Sequence, residues 1–200
     1  MENRSTNPAS KPTNFTKTRK LTLTALFSAI IVVMTFVPYL GYIKVGLVEI
    51  TTLHIPVILG GLMLGFSGSV VLGTVWGITC VINALFINPI FVNPLISLVP
   101  RMLVGVVIGV VGVGLAELGL RGPFRDSVRA VITAIVGTLT NTVLVLTALG
   151  LLDTGMFPPD QTIVTIFATI VGTNGLIELA LAAVLTPVLF AALRKVRPTL

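Results

Sequence analysis

Four polar side chains stand inside apolar stretches and offer the most usable chemistry: Arg101, Asn141, Asn174 and Glu178. A guanidinium can fork onto a carboxylate, and an amide presents donors and acceptors to hydroxyls and amides. A charge at a bilayer centre costs about 3 kcal/mol on insertion scales, so such residues should face a protein interior or a wet cavity. Together they imply a polar pocket inside a small helical membrane protein.

Several other chemistries are excluded. The single Cys80 and single His54 cannot build a disulfide framework or most protein-ligated metal sites. No Lys lies between Lys44 and Lys195, so the Gly-Lys-Ser/Thr of a phosphate loop is absent. Gly65-Phe66-Ser67-Gly68 matches the Gly-x-Ser-Gly of rhomboid-type intramembrane proteases. That reaction needs a histidine base beside the serine. His54 would stand about 20 Å away at helical rise, and Ser67 falls in a turn.

The elements that must position these residues follow from composition. Hydrophobic residues make up 54% of the 200 residues and charged residues 10%, whereas a soluble domain is nearer one quarter charged. Apolar runs cover about 21–38, 53–66, 68–86, 95–118, 128–152 and 162–193. About 20 helical residues cross the 30 Å hydrocarbon layer. The second run is short for that and should be tilted, re-entrant or extended by its flanks. The sixth is long, with Pro187 a candidate bend.

Cations cluster in three places: Arg4, Lys11, Lys17, Arg19 and Lys20; Arg121, Arg125 and Arg129; and Arg194, Lys195 and Arg197. An even number of spans puts all three on one side, which the positive-inside rule makes cytoplasmic. The net charge of +6 is thereby read as topology and not as a nucleic-acid surface. The expected fold is an all-α membrane protein, a six-transmembrane-helix bundle with N and C termini cytoplasmic and outer loops capping a pocket. Residues 1–18 are expected to form a disordered basic tail and 19–197 the membrane domain. The first apolar run is too long for a cleavable signal.

On that topology spans four and six start outside, with the positive ends of their dipoles outward. Span four should begin near Ser97 and Pro100. Arg101 then lies in the outer third, either receiving a carboxylate or snorkelling to head groups. Asn141 and Asn174 either meet the neutral part of a ligand or join helices. Glu178 shares a face with Asn174 but lies about 6 Å deeper, past the midplane. It either holds helices together or touches ligand. Residues 39–52 and 87–97 suit lids, and Asn83, Trp76 and Asn93 could line a wall on the third span. Ala25/Ala29, Gly105/Gly109 and Ala130/Ala134 have the spacing that allows close helix approach, by default within the chain.

The order of the motifs resembles a known family. A basic tail precedes Leu23-Thr24-Ala25-Leu26-Phe27-Ser28-Ala29; then come Gly46 to Thr52, Leu53-His54-Ile55-Pro56-Val57-Ile58 and the Leu64-Gly65-Phe66-Ser67-Gly68 hairpin. Pro100-Arg101-Met102-Leu103-Val104-Gly105 and Asn174-Gly175-Leu176-Ile177-Glu178 follow. Over about residues 18–195 the chain resembles the substrate-binding S component of a prokaryotic energy-coupling factor (ECF) transporter. The loops and fourth span look most like the pantothenate type.

That resemblance implies a multi-pass protein of the prokaryotic cell membrane that captures a vitamin or metal ion from outside. It implies association with a transmembrane scaffold subunit and two ATPase subunits, which bind ATP and Mg. This chain would then be no enzyme and hold no cofactor. The family's Ala-x-x-x-Ala docking surface maps onto Ala25 and Ala29, and the family's members topple to carry the pocket inward. The tail has no His, unlike the cobalt and nickel binders. Only 6% of residues are aromatic, a modest supply of stacking walls for a flat heterocycle. Arg101 plus amides suits pantothenate, an aliphatic hydroxy-amide carboxylate. Hydroxymethylpyrimidine or another vitamin is the alternative. From other classes, a stand-alone ion-coupled secondary transporter would use Glu178, and a membrane scaffold would bind no small molecule.

Overall fold

The computed structural model describes residues 14–45, 48–87, 89–120, 122–152, 172 and 175–193. Its order is α1 (Asn14–Phe36), β1 (Tyr42–Val45), β2 (Val48–Thr51), α2 (His54–Leu64), α3 (Phe66–Ile87), a 3-10 turn (Pro89–Val92), α4 (Pro94–Glu117), α5 (Pro123–Leu151) and α6 (Leu176–Leu193). Helix α1 starts inside the stretch expected to be a disordered tail; residues 1–13 lie outside the described residues. Among the described residues, five helices are long and apolar enough to cross a membrane. Their outward faces are apolar, with Phe86 80% and Val188 62% exposed, as a bilayer solvent requires.

The short second run becomes α2, and all 11 of its residues are buried. At helical rise it is about 16 Å long, half the hydrocarbon thickness. It is a central core helix, wrapped by α1, α3, α4, α5 and α6. Ile58, Met63, Leu72, Trp76 and Ile108 belong to the core around it.

Gly65 ends α2 at φ 80°, a left-handed geometry that suits glycine. The chain reverses there directly into α3, so Ser67 sits exposed in the first turn of α3. His54 is buried at the opposite end of α2. Helices α3 and α4 then run very close together. A Cβ on Gly73 would come within 2.6 Å of the Arg101 carbonyl oxygen, and one on Gly105 within 2.5 Å of the Ser69 oxygen. Only residues without a side chain permit that approach.

Residues 39–52 were expected to be a lid of β-formers, and they supply an antiparallel hairpin with Tyr42 opposite Thr51 and Lys44 opposite Glu49. The Thr52 hydroxyl donates to the Leu40 carbonyl at 2.9 Å, and its N–H to the Gly41 carbonyl at 2.9 Å. These bonds close the base of the hairpin, joining the residue after β2 to the two residues before β1. Helix α4 begins earlier than Ser97 and Pro100. Asn93 is extended, its side chain accepts the Leu95 N–H at 3.0 Å, and Pro94 opens the first turn. An Asn before a Pro is a strong helix start because proline keeps its predecessor extended and lacks the N–H that would need a partner. Helix α6 runs through Pro187.

Candidate functional site

Arg101 lies about 10 Å along α4 at helical rise, near the hairpin end of the bundle, and is 6% exposed. Pro100 explains how it is held. Proline has no N–H, so the carbonyl four residues back, that of Ile96, loses its helical donor. Arg101 Nη1 donates to that same carbonyl at 2.8 Å. The guanidinium lies 5.5 Å from the centroid of Trp76 on α3 and 5.8 Å from that of Phe91 on the 3-10 turn. Ser97 fixes the turn by donating to the Phe91 carbonyl at 2.5 Å.

These contacts orient the cation without neutralising it. Arg101 Nε has no hydrogen-bond partner, and among the described residues the only ion pair within 4.0 Å is Arg129–Asp126. A buried charge held by one carbonyl and two ring faces remains strongly attractive to an anion. The Glu178 carboxylate and the Tyr42 hydroxyl are near enough to interact with it electrostatically.

Glu178 occupies the first turn of α6 and is 6% exposed. Its Oε1 accepts the Thr51 N–H of β2 at 2.5 Å. Glu178 is expected past the midplane; the structure shows its partner, and the residue ties α6 to the hairpin. A depth counted along a span that begins near 162 does not reveal this partner, because the carboxylate is fixed by a strand distant in sequence.

Asn141 on α5 is buried, with Oδ1 unpartnered, and Thr138 Oγ1 one turn below it is likewise unpartnered. Asn174 lies outside the described residues. Trp76 is fully buried against Arg101, but the other wall residues go elsewhere. Asn93 is exposed and spends its side-chain oxygen capping α4. Asn83 lines a separate cavity of about 200 Å³ with Thr35, Tyr39, Tyr42 and Ile87. Asn93 therefore does not join the group around Arg101. Asn83 meets that group only through Tyr42, which lines the cavity while its hydroxyl donates to Cys80 Sγ at 3.5 Å.

The three small-residue pairs separate cleanly. Gly105 and Gly109 close the α3–α4 contact and Ala130 and Ala134 are fully buried, whereas Ala25 and Ala29 are both exposed on α1. Thr22, Leu26, Val33 and Phe36 are exposed on the same helix.

Sequence reasoning missed four residues. Phe91 and Tyr42 lay in loops treated as lids, although each is an aromatic beside turn residues. His54 was weighed only as a base or metal ligand; it is 1% exposed and neither ring nitrogen has a partner. Arg129 was read as a topology signal. It is 1% exposed, lies 5.3 Å from the Phe190 ring centroid, stands 3.6 Å from Asp126 and donates a long bond, 3.5 Å, to the Leu62 carbonyl. Helix α5 begins at Pro123, before the apolar run, which turns residue 129 toward α2 and α6.

Comparison with known proteins adds a family. Residues 19–190 match the family model described as "ECF transporter, substrate-specific component". A pantothenic acid transporter, PanT, of Lactococcus lactis subsp. cremoris is 30% identical, covering 90% of this chain and 96% of its own. A pantothenate transporter PanT of Leuconostoc mesenteroides subsp. mesenteroides is 28% identical, covering 84% of this chain and 89% of its own. Among solved structures, ThiT from Listeria monocytogenes superposes with a TM-score of 0.65 at 17% identity, covering 90% of this chain and 97% of that one. That likeness carries the fold.

Proposed function

The chain belongs to the substrate-specific components of ECF transporters, and from that premise we propose that it captures pantothenate outside the cell for import. It is a multi-pass membrane protein of a prokaryotic transporter family. In this reading the bundle crosses the membrane six times with both termini cytoplasmic, and the hairpin end faces outward. The distribution of cations supports that orientation.

One observation carries the substrate reading: Arg101 is buried, stacked on Trp76 and Phe91, and has no carboxylate within ion-pair distance among the described residues. It would take the pantothenate carboxylate, with Asn141, and in the same expectation Asn174, meeting its hydroxyls and amide. Relatives named as pantothenate transporters point the same way. A transmembrane scaffold and two ATPases, the latter binding ATP and Mg, would supply the energy. Ala25 and Ala29 offer the scaffold an open small-residue face.

Calorimetric titration of the purified chain with a vitamin panel, with and without Arg101→Ala, tests this. Submicromolar pantothenate binding that Arg101→Ala abolishes is the expected result. Binding that survives removes the arginine from the site, and a preference for hydroxymethylpyrimidine moves the assignment to that vitamin. No binding to any vitamin sinks the reading. Separately, Ala25→Trp should stop uptake in cells that supply the partner subunits and leave binding intact.

A further inference from the structure

The register of α2 against α5 brings His54 and Asn141 to about the same level at the hairpin end of these helices. One turn away, a Cβ on Gly137 would meet Ile108 of α4 at 3.0 Å and Ile58 Cγ1 of α2 at 3.4 Å, which puts Gly137 beside Ile58. The helices are antiparallel there, since Arg129, earlier on α5, reaches Leu62, later on α2. Residues four apart share a helix face. Stepping one turn toward the hairpin on both helices leads from Ile58 to His54 and from Gly137 to Asn141, about 6 Å each way.

At that level the polar groups do not satisfy one another. Both His54 nitrogens, Asn141 Oδ1 and Thr138 Oγ1 are without hydrogen-bond partners, and all three residues are more than nine-tenths buried. Buried polar atoms normally have partners, and an unmatched one is expensive. A neutral imidazole presents one donor and one acceptor, Asn Oδ1 accepts, and a threonine hydroxyl does both. This set suits a hydroxyl- or amide-bearing molecule and gives a bare hydrocarbon nothing to bind. Thr51, three residues before His54, is the strand residue that Glu178 holds, which ties this level of the bundle to the group around Arg101.

We infer that His54, helped by Thr138, hydrogen bonds the uncharged hydroxyl-amide portion of the captured ligand and thereby selects among carboxylates that Arg101 alone would accept. This rests on the pantothenate reading and assigns the selectivity within it to a residue that lies outside that reading.

His54 is the only histidine in the chain, so its ring nitrogens can be followed by nitrogen-15 NMR in the unsubstituted, tag-free protein. Saturating pantothenate should shift at least one ring nitrogen. His54→Phe should weaken pantothenate binding on the order of tenfold to a hundredfold. The same variant should leave nearly unchanged the binding of an analogue whose hydroxyls are replaced by hydrogen. His54→Gln, which keeps a donor and an acceptor, should recover most of the loss. Ring signals that stay fixed while calorimetry shows pantothenate bound overturn the inference and leave the pantothenate assignment standing. A chain that binds no pantothenate brings down the assignment and this inference with it. If His54→Phe fails to fold, the NMR titration alone decides.

Discussion

Arg101 and Arg129 share an unusual situation. Both are almost sealed from the surface, at 6% and 1% exposure, both lay a guanidinium over an aromatic ring, and both reach a backbone carbonyl. Their differences are in the partners. Arg129 has Asp126 one turn away on its own helix and spans to α2 and α6 through Leu62 and Phe190. Arg101 bonds a carbonyl of its own helix, one that Pro100 leaves without a donor, and meets no carboxylate within ion-pair distance among the described residues. One arginine is absorbed by the fold. The other is oriented by it and keeps its charge available.

That contrast can be broken by substitution. The largest effect belongs to Arg101→Ala: pantothenate affinity should fall a hundredfold or more, about 3 kcal/mol, as expected for a charge-assisted pair. Titration calorimetry measures it. Next, Arg129→Ala should lower folding stability by about 2–3 kcal/mol, discounted from a fully buried pair because Asp126 is 15% exposed. Denaturant unfolding in detergent reads that loss, and pantothenate affinity should stay within about threefold of the parent chain, well under 1 kcal/mol. Were Arg129→Ala to cost more binding than Arg101→Ala, the division of labour between them would be reversed.

A third variant sharpens the same contrast. Arg101→Met removes a buried cation that has no carboxylate within ion-pair distance among the described residues, so the ligand-free protein should unfold at the same or a higher denaturant concentration. Arg129→Met should shift the midpoint downward. The smallest effect is that of Pro100→Ala. It gives the Ile96 carbonyl a helical donor again, strengthening α4 while freeing Arg101 Nη1. Affinity should drop about threefold to tenfold, a single hydrogen bond's worth. An unchanged affinity would show that the arginine needs no such tether.

The same two residues show how much the sequence disclosed. Arg101 was legible because a lone cation inside an apolar run has few reasons to be there. Arg129 was not, because in a list of loop cations it looks like Arg125, which is exposed. What separates them is which face of α5 meets α2 and α6, and that depends on partners far away in the chain. The long apolar runs one, three, four and five correspond to helices, since the bilayer demands length and hydrophobicity together, while the first half of the sixth lies mostly outside the described residues. The short run did not reveal whether lipid or protein would surround α2. At the site, Asn93 and Asn83 misled for a local reason: an Asn before a Pro is first a helix cap, and an Asn along a span has two walls to face. Glu178's partner escaped because it is a backbone N–H, which carries no mark in the sequence.

The complete burial of α2 bears on how the protein is made. A helix of that length offers the insertion machinery too little hydrocarbon to be released into lipid by itself. With no face turned outward, it has no resting place until α5 and α6 arrive to cover it. Its assembly is therefore tied to helices that follow it in the chain, and truncations ahead of α6 should leave α2 accessible to protease or aqueous thiol reagents.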